Sequence, residues 1–384
     1  MRSSRNTPHA TRNAPHMRLA LRLARRAYGA TSPNPMVGAV LVKGSRIIGR
    51  GWHHRAGEAH AEIEALREAQ ARGHNAKGAT LYVTLEPCCT HGRTPPCTEA
   101  IKAAGIKRVV VGTIDPNPQH SGKAFGILRR AGIAVVSGVL AEECARLNEA
   151  FNHWIIQRTP LVTVKAGMTL DGKIATASGE SRWITGEKAR AYGMNLRQGS
   201  DAILVGINTV LADDPSLTVR AAISDQRSVI SGHKLRRIVL DARGRTPLAA
   251  KVVSDDCAAL TTIVVGRLAP KRRVAALAKR VRVLVAPCSE GKIDLRWLLR
   301  KLGSESATSL LVEGGGEVNA SFLLQGLAHR VAFFYAPMIL GGRDSRPGVA
   351  GRGARTMAES LRLIDLEWRR LGPDWLLSAR VGAC

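Results

Sequence analysis

One histidine, one glutamate and two cysteines in the N-terminal half stand at a spacing that suits metal-assisted hydrolysis. They are His60, Glu62, Cys88 and Cys97, with Pro87 directly before the first cysteine. Three protein ligands around Zn²⁺ leave a fourth position for water, and the ion lowers the pKa of that water towards neutrality. Glu62, at the start of a predicted helix, can pass a proton to a leaving amine without ligating the metal. The pattern predicts a zinc-dependent deaminase in which the histidine and both cysteines are ligands and Glu62 is the proton shuttle.

Other side chains near this pattern could also bind a metal. Cys89 is adjacent to Cys88 and equally able to form a thiolate, but the preceding proline makes Cys88 the residue that corresponds to the deaminase motif. Short motifs recur by chance, so it is their joint presence in the right order that carries weight. His53, His54 and His91 are interpreted as pocket residues.

Alternating elements must position these residues. A helix is predicted from Met17 to Gly29, and an alanine-rich amphipathic helix from Ala61 to Ala71. A hairpin and three further strands are predicted at Val37–Val42 with Ile47–Ile48, Leu81–Thr84, Arg108–Val111 and Ile133–Val136, with helices near Thr98–Ala104, Ala124–Ala131 and Glu142–His153. Such alternation predicts a layered α/β domain with a largely parallel sheet.

A second α/β domain is predicted after a break at 157–160, where Pro160 precedes a fresh strand at Leu161–Lys165. Its other strands are predicted at Ala202–Val205, Arg237–Leu240, Thr262–Val265, Val281–Val285, Ser309–Val312 and Val331–Tyr335. The polar stretch Ala221–Lys234 suits an exposed loop. After the last residue of the Ser309–Val312 strand, Glu313 leads into three glycines, and such a turn at a helix start can bind phosphates.

Composition sets the class of protein. A chain of 384 residues exceeds the size at which one core stops growing, so two domains are expected. No apolar run approaches the length that crosses a bilayer, so no membrane partner is expected. Three of seven cysteines cluster and the others are scattered, which favours metal binding in a reducing compartment over a disulfide framework.

Positive charge is concentrated near the N-terminus. The net charge is +27, and residues 1–57 hold eleven Lys and Arg without any Asp or Glu. Residues 1–16 are typical of a basic extension or of an organelle transit peptide. We therefore expect a cytoplasmic protein, with an organellar location as the alternative if this segment is a transit peptide.

Two long motifs of the first half, 51–62 and 86–97, resemble the RibD family of bifunctional riboflavin-biosynthesis enzymes. Shorter motifs at 32–40 and 115–118, and in the second half at 165–175, 181–185, 206–210, 213–215, 312–316, 335–337 and 340–342, stand in the family's order. The resemblance implies an α/β chain. It comprises an N-terminal extension (1–16), a cytidine-deaminase-like three-layer zinc deaminase domain (17–156) and a dihydrofolate-reductase-like NADPH-dependent domain (160–384).

The resemblance also implies function. Zinc-dependent deamination of 2,5-diamino-6-(5-phosphoribosylamino)pyrimidin-4(3H)-one would be followed by NADPH-dependent reduction of the ribosyl group to ribityl. The partner would be this small phosphorylated pyrimidine and not nucleic acid, and we expect a homo-oligomer. The implied deaminase substrate residues are Asn34, His53 and Glu86. The implied cofactor residues are Gly167, Trp183, Thr209, Asp213, Gly314, Gly315 and Gly316, and the implied reductase substrate residues are Ser181, Arg197, Leu217, Arg220 and Glu313.

Departures from the family pattern affect loops more than chemistry. Gly122-Lys123-Ala124 replaces the usual Gly-x-Gly, and Glu64 occupies a position that is often His or Asn.

Two other functions are alternatives to the one that the family resemblance implies. A nucleic-acid deaminase would use the basic charge, but it gives the second half no role, and an aromatic content of 4% disfavours a base-stacking platform. A binding protein with inactive sites is disfavoured because all four residues of the zinc pattern are present.

Overall fold

The computed structural model describes residues 8–90, 95–219 and 234–382, with side chains described from Arg12 onward. It divides into two compact units, Met1–Arg158 and Thr159–Cys384, called unit 1 and unit 2 below. Among the described residues, no helix is both long and apolar enough to cross a membrane.

Unit 1 is built around one five-stranded sheet. Its strands are β1 Gly38–Lys43, β2 Arg46–Trp52, β3 Thr80–Leu85, β4 Arg108–Thr113 and β5 Ala134–Ser137, and its α-helices are α1 Pro8–Ala24, α2 Ala61–Ala71, α3 Cys97–Ala103, α4 Lys123–Arg130, α5 Ala141–Leu147 and α6 Glu149–Gln157. The sheet order is β2-β1-β3-β4-β5. The predicted hairpin is confirmed by the antiparallel pair β1–β2. Strand β1 also runs antiparallel to β3, so the expected parallel arrangement holds for β3, β4 and β5 only.

Helices cover both faces of this sheet. Apolar residues of α2, α3 and α4, such as Ala65, Ile101 and Leu128, share one core with inward residues of β1, β3 and β4. Residues of α1 and α5, such as Leu21 and Cys144, form a second core on the other face. The result is the expected three-layer arrangement.

The N-terminus of unit 1 differs from the sequence prediction. Helix α1 begins at Pro8, nine residues before the predicted start at Met17. Asn13 is buried and its Oδ1 accepts a hydrogen bond of 3.2 Å from Tyr82, while His16 packs against the Tyr82 ring. The part of the 1–16 segment with described side chains therefore packs against the sheet, because its polar residues have partners on β3.

The helix predicted over Glu142–His153 is interrupted. Asn148 ends α5 in a non-helical conformation and precedes α6. Its side chain accepts a hydrogen bond from the Met36 N–H at 2.8 Å and donates one to the Met36 carbonyl at 2.9 Å. The break thus fixes the segment that leads into β1.

Unit 2 is built around a nine-stranded sheet. The strands of unit 2 are β6 Leu161–Thr169, β7 Lys173–Ala175, β8 Ala202–Gly206, β9 Arg236–Leu240, β10 Thr261–Gly266, β11 Arg282–Ala286, β12 Cys288–Ser289, β13 Lys292–Ile293, β14 Ser309–Val312, β15 Arg330–Ala336, β16 Arg346–Pro347, β17 Leu363–Leu371 and β18 Asp374–Val381. Strands β7 and β16 form a separate two-stranded sheet, as do β12 and β13, and the other nine form the large sheet. The α-helices of unit 2 are α7 Glu187–Gln198, α8 Ile207–Asp213, α9 Lys251–Ser254, α10 Lys271–Ala278, α11 Leu295–Ser304 and α12 Gly316–Leu324.

The large sheet runs in the order β11-β10-β9-β8-β14-β6-β15-β18-β17, and its first seven strands are parallel. The carboxyl ends of β8, β14 and β6 therefore meet at one edge of the sheet, which is where α/β proteins bind ligands. Strands β17 and β18 form an antiparallel hairpin that the sequence analysis does not predict, because a bulge between Ile364 and Glu367 disrupts the alternation of side chains. The predicted loop over 221–234 lies almost entirely outside the described residues.

Candidate active sites

Helix α2 carries His60 and Glu62 at its N-terminus. His60 is the residue before the first helical position, and Glu62 lies in the first turn, 3% exposed. The helix packs closely on β2, because a Cβ atom on Gly51 would lie 2.3 Å from the carbonyl oxygen of Ala61. Glycine at position 51 thus fixes the distance of the helix start from the sheet.

Two cysteines face His60 from other elements. Cys88 follows β3, and Cys97 is the first residue of α3. His60 Nδ1 lies 3.2 Å from Cys97 Sγ and 3.5 Å from Cys88 Sγ. The usual Zn–N and Zn–S lengths give a tetrahedral N-to-S edge of about 3.6 Å. Within the described chain, this is the one group of three potential ligands close enough for a metal, and its one nitrogen and two sulfurs suit zinc.

The environment favours a thiolate at Cys88. A hydrogen bond from the Cys97 thiol lowers the pKa of Cys88 to about 4 against the effect of burial, and the pKa of Cys97 is raised by the same bond and by burial. The Cys97 backbone N–H also donates to Cys88 Sγ at 3.2 Å. Burial raises the pKa of Glu62, so its carboxyl group can hold a proton more readily than an exposed one.

Asn34 and His53 lie together beside this group. His53 Nδ1 donates to the Ala59 carbonyl at 3.1 Å, which leaves Nε2 to accept from Asn34 Nδ2 at 3.1 Å. Burial lowers the pKa of His53, in keeping with a neutral ring. The ring meets that of His60 edge-on at 5.4 Å. The structure thus connects both expected substrate residues to the candidate metal ligand.

Glu86 is buried, and its carboxylate is hydrogen-bonded to the main chain. Its carboxylate accepts from the backbone N–H groups of Asp115 at 3.2 Å, Gly122 at 2.8 Å and Ala124 at 3.0 Å. Both oxygens are therefore used to hold the 115–124 loop at the start of α4. The family resemblance implies that Glu86 helps to hold the pyrimidine and its neighbourhood, and this additional contact with the main chain is not predicted from the sequence.

The alternative ligands lie elsewhere. Cys89 Sγ lies 3.6 Å from His120 Nδ1, and burial raises its pKa. The His54 ring stacks on Trp52 with 4.3 Å between centroids. His91 lies outside the described residues.

In unit 2, a partly buried ion cluster lies at the carboxyl end of β14. Arg197, in the last turn of α7, donates to both carboxylate oxygens of Glu313 at 3.0 and 2.9 Å. Lys165 Nζ on β6 lies 3.7 Å from Glu313 Oε2. Burial alone would raise the pKa of Glu313, but the two cations lower it to about 2. The sequence analysis does not identify Lys165 as a site residue. Its position on a strand whose alternate residues Val162, Val164 and Ala166 are apolar could have indicated a functional lysine.

Glycines 314–316 connect β14 to α12 directly after this cluster. Gly315 has φ +77°, and a Cβ atom on Gly316 would lie 2.3 Å from the Pro347 carbonyl oxygen. Thr209 of α8 donates to the Gly314 carbonyl at 3.4 Å. The expected cofactor residues Thr209 and 314–316 are therefore neighbours at one edge of the sheet.

The segment after α8 is held from two sides. Arg197 donates to the Thr218 carbonyl at 3.1 Å, and the fully buried Arg237 donates to the Ser216 carbonyl at 2.8 Å. Leu217 lies between them with φ +53° and a buried side chain. The Leu217 side chain is therefore packed in the core, and its main chain is the part that faces away from it. Arg220 lies outside the described residues.

A second set of contacts surrounds Asp213. Ser181 donates to its carboxylate at 3.4 Å, and Arg182 donates to its carbonyl at 2.8 Å. The exposed Trp183 ring is flanked by Arg190 at 4.6 Å and Arg182 at 5.8 Å. Another expected cofactor residue, Gly167, lies on β6, where a Cβ atom would be 3.3 Å from the Thr185 methyl group.

Comparison with known protein families separates the same two regions. Residues 10–113 match the cytidine and deoxycytidylate deaminase zinc-binding region, and residues 160–377 match the RibD C-terminal domain. These matches confirm the expected fold class, a cytidine-deaminase-like domain followed by the RibD reductase domain.

Relatives match over nearly the whole chain. The riboflavin biosynthesis protein RibD of Aquifex aeolicus is 44% identical over 94% of this chain and 96% of its own length, and that of Escherichia coli is 41% identical over 94% and 96%. The solved structure of Acinetobacter baumannii RibD superposes with a TM-score of 0.84 at 36% identity, covering 97% of this chain and all of that one. A Thermotoga maritima structure described as a diaminohydroxyphosphoribosylaminopyrimidine deaminase/5-amino-6-(5-phosphoribosylamino)uracil reductase gives 0.81 at 34% identity, covering 97% and 100%. The chain therefore belongs to the RibD family of riboflavin biosynthesis proteins.

Proposed function

We propose that unit 1 hydrolytically deaminates the diaminopyrimidine phosphoribosyl substrate named for the Thermotoga protein, and that unit 2 then reduces the ribosyl group of the product to ribityl with NADPH. The observation that carries this proposal is the presence of two different constellations in one chain. In unit 1, one nitrogen and two sulfurs lie within 4.8 Å of one another, next to the buried Glu62. In unit 2, an ion cluster precedes a glycine turn.

In unit 1, His60, Cys88 and Cys97 would hold zinc. Bound zinc lowers the pKa of a water molecule and so supplies a nucleophile near neutral pH. Glu62 is the group that accepts a proton and delivers it to the leaving amine, since it is buried beside Cys97 and its pKa is raised. Its place in the first turn of α2 keeps it within reach of the same pocket as His60.

The pyrimidine would be held next to this group. Asn34 and His53 are oriented by their mutual hydrogen bond and by the Ala59 carbonyl, so their polar edges are fixed before substrate arrives. Glu86 would act on the pyrimidine site indirectly, because its carboxylate holds the 115–124 loop through three main-chain N–H donors.

In unit 2, binding and orientation are the main tasks of the protein. Bound NADPH supplies the hydride that C1′ of the ring-opened ribosyl group accepts. The 314–316 turn and Thr209 would hold the cofactor, together with Gly167, Trp183 and Asp213. Arg197, Arg220, Ser181, Glu313 and the main chain at Leu217 would hold the phosphorylated substrate.

The partner of both sites is a small phosphorylated pyrimidine and not a nucleic acid. Arg197 and Lys165 lie together in a partly buried ion cluster, and this arrangement favours a compact anionic ligand. The relatives come from bacteria, which supports a cytoplasmic site of action, and packing of Asn13 into unit 1 argues against removal of residues 1–16 as a transit peptide.

Two assays on the purified full chain test this function. Ammonia release from the diamino substrate should require zinc, and NADPH oxidation should require the deaminated product. Elemental analysis should find one zinc per chain, which Cys88→Ala should lose and Cys89→Ala should keep. Full deaminase activity in metal-free protein, or no NADPH oxidation with the deaminated substrate, would refute the corresponding half.

A further inference from the structure

Arg237, on β9, is a fully buried cation. It is 0% exposed on a strand whose next two residues, Ile238 and Val239, are buried and apolar. Burying an ionised group costs free energy unless the group is paired and its hydrogen-bond donors find acceptors. The partners of Arg237 therefore indicate what this charge holds in place.

Arg237 uses all five N–H groups of its guanidinium. Its Nε donates to Thr261 Oγ1 at 2.8 Å, and two further N–H groups donate to the two carboxylate oxygens of Asp255, each at 2.7 Å. The remaining two donate to main-chain carbonyls, that of Val252 at 3.2 Å and that of Ser216 at 2.8 Å. The two-pronged pairing with Asp255 balances the charge and fixes the plane of the guanidinium, so the N–H that reaches Ser216 has a fixed direction.

The bond to Ser216 holds a segment that has no regular structure of its own. Residues 214–218 follow α8 and are neither helical nor in a strand. Asp214 and Leu217 have φ +42° and +53°, in the left-handed region that residues with a side chain seldom adopt. Such a backbone persists only where its surroundings fix it. The Ser216 carbonyl, next to Leu217, is one of the points at which it is fixed.

Arg197 of the ion cluster holds the same segment on the other side of Leu217. It donates to the Thr218 carbonyl at 3.1 Å with the same guanidinium that donates to both oxygens of Glu313. The position of the Thr218 main chain therefore affects the orientation of Arg197. Arg237 can influence the ion cluster in this way without touching a ligand, because it is itself fully buried.

We propose that Arg237 is a positioning residue of unit 2, which fixes the 216–218 main chain and, through Thr218, orients Arg197 towards the phosphorylated substrate. This inference rests on the function proposed above for unit 2. Loss of the bond to Ser216 should let the segment relax and should weaken binding of that substrate. Thr209 and the 314–316 turn are held by other contacts, so binding of NADPH should change little.

A double variant of the full-length chain tests this role. Arg237→Met with Asp255→Asn removes both charges of the buried pair, and the new amide oxygen can still accept from the Cys257 N–H. Replacing both members of a buried ion pair is often tolerated, whereas removing one leaves an unpaired charge. The KM for the deaminated phosphoribosyl substrate should rise about 10-fold, the scale of one hydrogen bond from a charged group. The KM for NADPH, the kcat of reduction and the rate of ammonia release should stay near their wild-type values.

Thr261→Val is the matched control, because it removes the Nε bond of the same arginine and leaves the bond to Ser216 in place. It should lower the melting temperature and keep both KM values, which separates a positioning role from a merely structural one. Arg237→Lys keeps the charge without the planar fork of donors, and it repeats the comparison if the double variant does not fold.

An unchanged KM for the deaminated substrate in a folded Arg237 variant would overturn the proposal. An equal rise in Thr261→Val, a fall in kcat together with a rise in both KM values, or a failure of both Arg237 variants to fold would also overturn it, since each assigns Arg237 a structural role alone. A wild type that does not oxidise NADPH with the deaminated substrate would refute the function proposed for unit 2, and this proposal with it.

Discussion

The two units assemble their sites in different ways. In unit 1 the candidate ligands and Glu62 come from helix starts and one loop, and the donor atoms of the three ligands His60, Cys88 and Cys97 lie within 4.8 Å of one another. In unit 2 the groups come from β6, α7, α8 and the turn after β14, and they are held by ion pairs and main-chain contacts. A reaction that moves a proton at one atom needs a compact donor set, whereas a hydride transfer needs two ligands positioned over a wide surface.

The compact arrangement in unit 1 predicts that deamination depends on the Glu62 side chain more than on any other. Glu62→Gln should lower ammonia release about 10²-fold or more, because the amide cannot carry the proton. Zinc content and NADPH oxidation should stay as in the wild type. Glu64→Gln is the matched control on the same helix, since Glu64 contacts Arg67 and should change neither activity. Near-normal turnover in Glu62→Gln would assign the proton to another group.

The stability of unit 2 should depend on pH because of the Glu313 carboxylate. Its pKa is lowered to about 2 from an ordinary 4.5, so the ion cluster stabilises the fold fully above pH 4.5 and loses this contribution as the pH falls towards 2. The shift corresponds to on the order of 3 kcal/mol. The free energy of unfolding of unit 2, compared between wild type and Glu313→Gln by denaturant titration, should differ less at each lower pH. A difference independent of pH would contradict the ion cluster.

Replacing Arg197 should weaken substrate binding in unit 2 and leave unit 1 unaffected. Arg197→Ala removes both hydrogen bonds to Glu313 and the one to the Thr218 carbonyl, so the phosphorylated substrate should bind to unit 2 about 10-fold to 10²-fold more weakly. Deamination should be unchanged. Lys188→Ala, an exposed position on the same helix, is the control. Equal loss of both activities would indicate misfolding or a shared site.

A smaller effect is expected at Gly51, far in sequence from the cysteines. A methyl group there meets the Ala61 carbonyl oxygen and should displace the start of α2, at a cost of about 1–3 kcal/mol. The melting temperature and the zinc content should both fall. Gly126→Ala on α4, where the nearest atom is the end of a flexible arginine at 3.5 Å, should reduce neither. A Gly51→Ala protein that keeps its zinc would show that β2 does not set the ligand geometry.

The sequence predicts the site residues of unit 1 more completely than those of unit 2, for a physical reason. Short motifs carry His60, Glu62, Cys88 and Cys97, and the structure brings these four together, since each stands at an element end that local patterning predicts. Lys165 was missed because its role depends on Glu313, which is 148 positions away in the chain and adjacent only through the pairing of β6 with β14.

Sequence patterns also do not predict hydrogen bonds between side chains and the main chain of distant segments. Glu86 resembles a substrate residue by its motif, but its carboxylate accepts three backbone N–H groups that only the folded 115–124 loop presents. The hairpin of β17 and β18 was missed because its bulge breaks the alternation that predicts strands. The helix start at Pro8 was missed because burial of Asn13 depends on Tyr82.

We propose that this one chain carries two active sites that work independently. The most direct measurement is the rate of NADPH oxidation by full-length Glu62→Gln protein supplied with the deaminated phosphoribosyl substrate. We expect the wild-type rate, because that substrate needs no further deamination and Glu62 belongs to unit 1. A rate that falls in parallel with ammonia release, or a wild type that does not oxidise NADPH with this substrate, would contradict it.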